Sequence, residues 1–177
     1  MSDSFEFLNK PASAEPASQE IVPRRRGFAL SLKGRALRLL AGREHSRSEL
    51  EKKLLTHEET PGQLAQVLDD LQAKDFISET RVVQSVINRQ ASRFGAARIR
   101  HELLEKGVDR EQIEEALRSL QSSELERATE LWQKKFGSLQ DEAPSDPATR
   151  ARQMRFLLSR GFNGAVVSQV LRAASKK

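Results

Sequence analysis

The chain has 177 residues and no cysteine, so neither a disulfide frame nor thiolate chemistry is open to it. Charged residues make up 31% of it, aromatics only 5%, and the net charge is +5, a balance that suits a partner of nucleic acid or of an acidic protein surface. No run approaches the ~20 apolar residues that span a bilayer. The start, MSDSFEFLNKPASAEPASQE, lacks the basic-then-apolar plan of a secretory signal, so a cytoplasmic protein is expected.

Residues 1–30 read as an arm, rich in Pro, Ala, Ser and Glu without periodicity, and are expected to be disordered. The run Arg24-Arg25-Arg26 within it suits either phosphate contact or a merely solvated tail. Helical spacing begins at Ser31. A first helix-compatible segment covers about 33–41, and Leu50, Leu54 and Leu55 mark a second. Leu64, Val67, Leu68 and Leu71 then fall at the spacing of one buried helix face. Thr60 stands as the N-cap of that third helix, with Pro61 and Gln63 completing a capping-box pattern. The next unit repeats this plan. After a segment at 80–93 come Ile99, Leu103 and Leu104, then Asp109 as an N-cap, then Ile113, Ala116, Leu117 and Leu120. The offset from the first unit is 49 residues, and a further 54 leads to Leu157, Leu158, the cap Asn163 and the stripe Val167, Val170, Leu171 and Ala174. The first helix of this last unit falls at 123–136, and Gly137 to Pro147 is a polar loop. Lys106-Gly107 and Arg160-Gly161 have the form of helix ends, with a cation at the negative end and a glycine free to turn left-handed. His57-Glu58 stands there in the first unit, so that turn must close differently.

The expected fold is therefore all-α: three tandem three-helix repeats over 31–79, 80–121 and 122–177, forming an elongated, curved molecule. Each unit is small for independent stability, so neighbours are expected to cover one another's apolar faces. Trp132, Phe136, Phe156 and Phe162 fall among leucines and are expected in the core.

Catalytic patterns are missing. No glycine-rich phosphate cradle occurs, and His45, His57 and His101 lack ligand spacing. Asp69-Asp70 and Glu114-Glu115 are adjacent on helices and point apart. No enzyme, metal or cofactor is expected. Charge is more informative. From Pro147 to Lys177 there are seven cations and no acid, and Arg89 to Lys106 adds five cations against Glu102 and Glu105. A basic face built from Arg98, Arg100, Lys106, Arg152, Arg155 and Arg160 is the candidate partner-binding surface.

The stretch Phe94-Gly95-Ala96-Ala97-Arg98-Ile99-Arg100-His101-Glu102-Leu103-Leu104-Glu105-Lys106-Gly107-Val108 resembles the central signature of RecX proteins, bacterial modulators of the RecA recombinase. Arg47-Ser48-Glu49-Leu50, continuing to Leu54, resembles the family's first-unit motif, and Phe156 to Phe162 its third. The likeness spans roughly 32–174, with Asp75 to Arg81 a loose version of the family's acidic inter-unit segment. It implies three three-helix units, docking as a monomer into the RecA filament groove on single-stranded DNA, and damping of ATP hydrolysis, filament growth and strand exchange. That is a regulatory role in DNA repair, homologous recombination and the SOS response, with single-stranded or duplex DNA as a further candidate contact. The residues alone leave two other readings open: a helix-turn-helix-like DNA-binding regulator, or a helical scaffold for another protein.

Overall fold

The apolar stripes close into helices in the order the sequence carries them. The computed structural model describes residues 30–137 and 146–175, and among these there is no strand. The first unit comprises α1 (Leu32–Gly42), α2 (Arg47–Leu54) and α3 (Gln63–Ala73). The second comprises α4 (Glu79–Gln90), α5 (Ala96–Glu105) and α6 (Arg110–Gln121); the third α7 (Glu124–Phe136), α8 (Pro147–Ser159) and α9 (Gly164–Ala174). The expected arm with Arg24 to Arg26, and most of the 137–147 loop, lie outside the described residues.

Local chemistry explains most of the boundaries. Ser46 caps α2 in a capping box: its hydroxyl accepts the Glu49 N–H at 3.2 Å while the Glu49 carboxylate accepts the Ser46 N–H at 3.2 Å. Asp109 and Asn163 cap α6 and α9 as expected, each accepting a backbone N–H at 2.8 Å. Thr60 does not cap α3, a correction to the sequence reading. That helix starts after Gly62 at φ +85°, and the Glu58 carboxylate instead accepts the Leu64 N–H at 3.0 Å. A 3-10 turn, Leu55–His57, replaces the glycine turn of the other units and delivers Glu58 to that position.

Each unit has its own core. Leu50, Leu54, Leu64, Leu68 and Leu71 form one cluster, Ile99, Leu103, Ile113 and Leu117 a second, and Leu157, Val167, Val170 and Leu171 a third. The principal helix–helix contacts stay inside units. The expectation that neighbours share apolar faces is therefore corrected: three separate cores are joined by thin polar seams. Phe136 and Phe162 are buried, with Trp132 and Phe156 packed partly buried against the third core. Leu55, Leu104 and Leu158 depart from the sequence reading, being 62%, 40% and 45% exposed. Each lies one residue past a buried leucine, and one residue is about 100° around a helix, which carries it off the buried stripe.

Candidate partner-binding surface

The second helices of the three units stand end to end, and their meeting points build the surface. At the seam between the second and third units, the amino end of α5 faces the carboxyl end of α8. The Gly95 N–H donates to the Arg160 carbonyl at 2.9 Å and the Ala97 N–H to the Gly161 carbonyl at 3.2 Å. Donors left free at a helix start thus meet acceptors left free at a helix end, with the helix dipoles aligned head to tail. The approach is close enough to demand glycine twice. A Cβ on Gly95 would stand 2.3 Å from the Gly161 carbonyl oxygen, and one on Gly161, at φ +82°, would stand 2.6 Å from the Arg98 nitrogen. At the seam between the first and second units, the Ser46 hydroxyl donates to the Lys106 carbonyl at 2.5 Å, against Gly107 at φ +73°. Ser46 precedes Gly95 by 49 residues and Lys106 precedes Arg160 by 54, so one seam is made twice.

An arginine from the following unit's first helix clamps each seam. Arg81 on α4 donates to the Glu44 carboxylate at 3.1 Å and to the Asp75 carbonyl at 2.6 Å. Arg127 on α7 donates to the carbonyls of Ala91 at 2.7 Å, Phe94 at 3.1 Å and Leu120 at 3.2 Å. Burial pushes its pKa down, and the Glu124 carboxylate beside it opposes that. The sequence reading assigned neither arginine a role.

The two seams differ in side-chain chemistry. At the first, Glu49 takes Arg43 and Lys106, each at 2.8 Å. Burial pushes the Glu49 carboxyl up, but hydrogen bonds from Arg43, Lys106 and the Ser46 N–H outweigh it and hold the pKa at about 2. His45 is buried beside them, its Nδ1 without a hydrogen-bond partner and 3.7 Å from Glu49 Oε2. Burial, then the Arg43 charge, push its pKa down. At the second seam Phe94 occupies the place of His45, and the guanidiniums of Arg93, Arg98 and Arg160 lie 5.6, 5.4 and 5.4 Å from its ring centre. Arg160 also stands 5.1 Å from the ring of Phe156, which meets Phe136 edge-on at 5.3 Å, and Arg152 lies 6.0 Å from Phe136. Cations and rings alternate across the seam. Such contacts hold like charges together at about 0.5–1 kcal/mol each where exposed.

The six expected basic residues therefore separate. Arg98, Arg152 and Arg160 join the cation–ring ladder, with Arg155 exposed on the same helix as Arg152. Arg93, Arg98, Arg155 and Arg160 pair with no carboxylate among the described residues. Arg100 is forked onto Glu114 at 2.8 and 2.9 Å, bracing α5 against α6. Lys106 has an 11% exposed side chain committed to Glu49 inside the first seam. Arg93 was missed by the sequence reading, although its place beside Phe94 was the available signal. Among the described residues no three acidic or histidine side chains converge as metal ligands, and no helix is long and apolar enough to cross a membrane.

Comparison with known proteins agrees with this geometry. Three family models match, for the first, second and third three-helix domains of RecX, over residues 33–71, 78–117 and 122–171. Regulatory protein RecX from Leptothrix cholodnii is 57% identical over 145 residues, covering 82% of this chain and 90% of that one. Its counterpart from Ralstonia nicotianae is 43% identical over 145 residues, covering 82% and 89%. The crystal structure of RecX from Lactobacillus salivarius superposes with a TM-score of 0.68 at 20% identity, over 82% of this chain and 96% of that one, a likeness of fold.

Proposed function

This chain belongs to the RecX family, and from that premise we propose that it is a non-enzymatic, cytoplasmic regulator that binds the RecA filament on single-stranded DNA and lowers its ATPase, extension and strand exchange. The observation that carries the reading is the cation–ring ladder at the seam between the second and third units. Of its arginines, Arg93, Arg98 and Arg160 have no carboxylate partner among the described residues and are fixed by aromatic faces, which suits them to an acidic patch on a protein surface. A filament repeats on every protomer whatever patch one protomer presents, and three units joined end to end would reach more than one protomer as a monomer. Each contact then benefits from a high effective concentration.

The decisive measurement is the DNA-dependent ATPase of the recombinase on single-stranded DNA, with purified protein added below one copy per protomer. Wild-type protein should lower the rate, and Arg98→Glu with Arg155→Glu should raise the half-inhibitory concentration by about tenfold or more with the circular dichroism unchanged. That is the effect expected when about 1.4 kcal/mol of contact energy is lost. Wild-type protein without effect at any ratio would overturn the reading. An unimpaired double variant would move the contact elsewhere on the molecule.

A further inference from the structure

The amino-terminal unit carries cations that the filament reading leaves unused. Between Glu20 and Glu44 the chain holds seven cations and no acid. In the fold, Arg35, Arg38, Arg43 and Lys53 surround a concavity of about 690 Å³ between α1 and the end of α2, over a floor that includes Leu39 and Leu54. No carboxylate lines it. Arg35 is held by the Leu30 carbonyl at 3.0 Å and Arg43 by Glu49, which fixes two walls. Arg38 and Lys53 are exposed and have no hydrogen-bond or ion-pair partner among the described residues. Elsewhere surface cations are commonly neutralised, as in Lys33 with Asp70, Arg47 with Asp69 and Arg89 with Glu102. Positive charge gathered around a concave, partly apolar wall focuses potential, and an anion relieves the repulsion.

We propose that this concavity binds the phosphodiester backbone of a single nucleic-acid strand, without regard to base sequence. Guanidinium forks match phosphate oxygens, and the leucine floor suits the apolar faces of the sugars. His45 and His57 are the only ring-bearing side chains in the lining, His45 is buried, and no Phe, Tyr or Trp offers a broad face for bases to stack on, so the contact falls chiefly on the backbone. A single strand can bend its backbone into this recess, whereas a duplex presents only one edge of a stiff rod to it. DNA and RNA share the backbone chemistry, and the site takes either. The inference stands apart from the filament reading, since it needs no recombinase.

The test is fluorescence anisotropy of a labelled oligothymidylate with the full chain at low salt and no recombinase present. Arg38→Glu with Lys53→Glu should raise Kd at least tenfold while the helical signal is unchanged. The milder pair Arg38→Gln and Lys53→Gln, for use if the reversal disturbs folding, should raise it several-fold. Loss of two phosphate contacts should also flatten the dependence of log Kd on log salt by about 1.4, at roughly 0.7 per contact for single strands. Oligouridylate should bind within a few-fold of oligothymidylate, and a duplex of equal length should compete poorly. The charge-matched pair Arg98→Glu and Arg155→Glu should weaken binding several-fold less than Arg38→Glu with Lys53→Glu, and an equal effect of the two pairs would overturn the proposal by showing that net charge alone sets the affinity. The proposal is overturned if the Arg38 and Lys53 variants bind as wild type while deletion of residues 1–27 abolishes binding, because the arginine run would then be the site. It is equally overturned if polyglutamate displaces the oligonucleotide at equal charge concentration, because the concavity would then be a site for acidic protein.

Discussion

His45 and Glu49 make the first seam sensitive to acid, and the signs of the two effects agree. The folded chain favours neutral His45, with its pKa below the ordinary 6.5, so its contribution is present above that value and falls away as pH drops below it. Glu49 has its pKa lowered from 4.5 to about 2, so its contribution is present above 4.5 and is lost as pH falls towards 2. The melting temperature should therefore fall between pH 7 and 5 through His45 and fall further below pH 4.5 through Glu49. His45→Phe, which installs the residue found at the same place in the second seam, should flatten the upper limb. Glu49→Gln should cost about 1.5–3 kcal/mol at pH 7, as expected for hydrogen bonds to a charged group, and should match wild type near pH 2. Melting curves across this range decide it, and an unchanged upper limb in His45→Phe would remove His45 from the account. This pair was not legible from residue order, because a histidine and a glutamate four apart look like any solvated helix turn until Lys106 arrives from the next unit. Leu55, Leu104 and Leu158 were misplaced for a related reason: leucine signals burial by type, whereas helix geometry decides burial by angle.

Individual helices were legible because a 3.6-residue apolar period and side-chain caps are local signals, and Asp109 and Asn163 act as that pattern requires. The seams were not, because they are backbone contacts between residues as far apart as Gly95 and Arg160. The available clue was the pairing of two offsets, 49 from Ser46 to Gly95 and 54 from Gly107 to Gly161. Seam geometry makes glycines unequal. Gly95→Ala forces a methyl against a carbonyl oxygen that neither helix can easily withdraw, and overpacking of this kind costs about 1–3 kcal/mol or more. Gly42, at the end of α1, has nothing within 4 Å of an added Cβ, and alanine there should be neutral or stabilising by up to about 1 kcal/mol. Thermal unfolding of the two variants should show this order. Equal effects would mean that the α5–α8 contact is looser than the hydrogen bonds from Gly95 and Ala97 indicate.

At the scale of the whole molecule, three cores joined by two polar seams make an array whose parts are rigid separately. The file of second helices also stops at each end for a structural reason. The first unit closes α2 with the 3-10 turn Leu55–His57 instead of a glycine that admits a neighbour, and α8 begins at Pro147, which has no N–H to donate to a preceding helix end as Gly95 does. The division of labour follows: cores hold each unit together, seams set the relation between units, and the array provides reach. A fragment ending at residue 121 tests this directly. It keeps the first two cores intact and the first seam complete, and it loses the Arg127 clamp, the Glu124 contact to the Ala96 N–H, the α8 contacts of α5 and the Arg160 cation over Phe94. It should remain helical and unfold cooperatively, with a melting temperature lower by about 4–16 °C, the shift expected for a domain of this size that loses about 1–2 kcal/mol. Its inhibition of the recombinase ATPase should fall much further than its stability, because the ladder completed by Arg160, Phe156 and Arg152 is gone and a two-unit array has less reach. A fragment that fails to fold would show that the cores depend on one another across the seams. One that folds and inhibits as the full chain does would place the filament contact in the first two units.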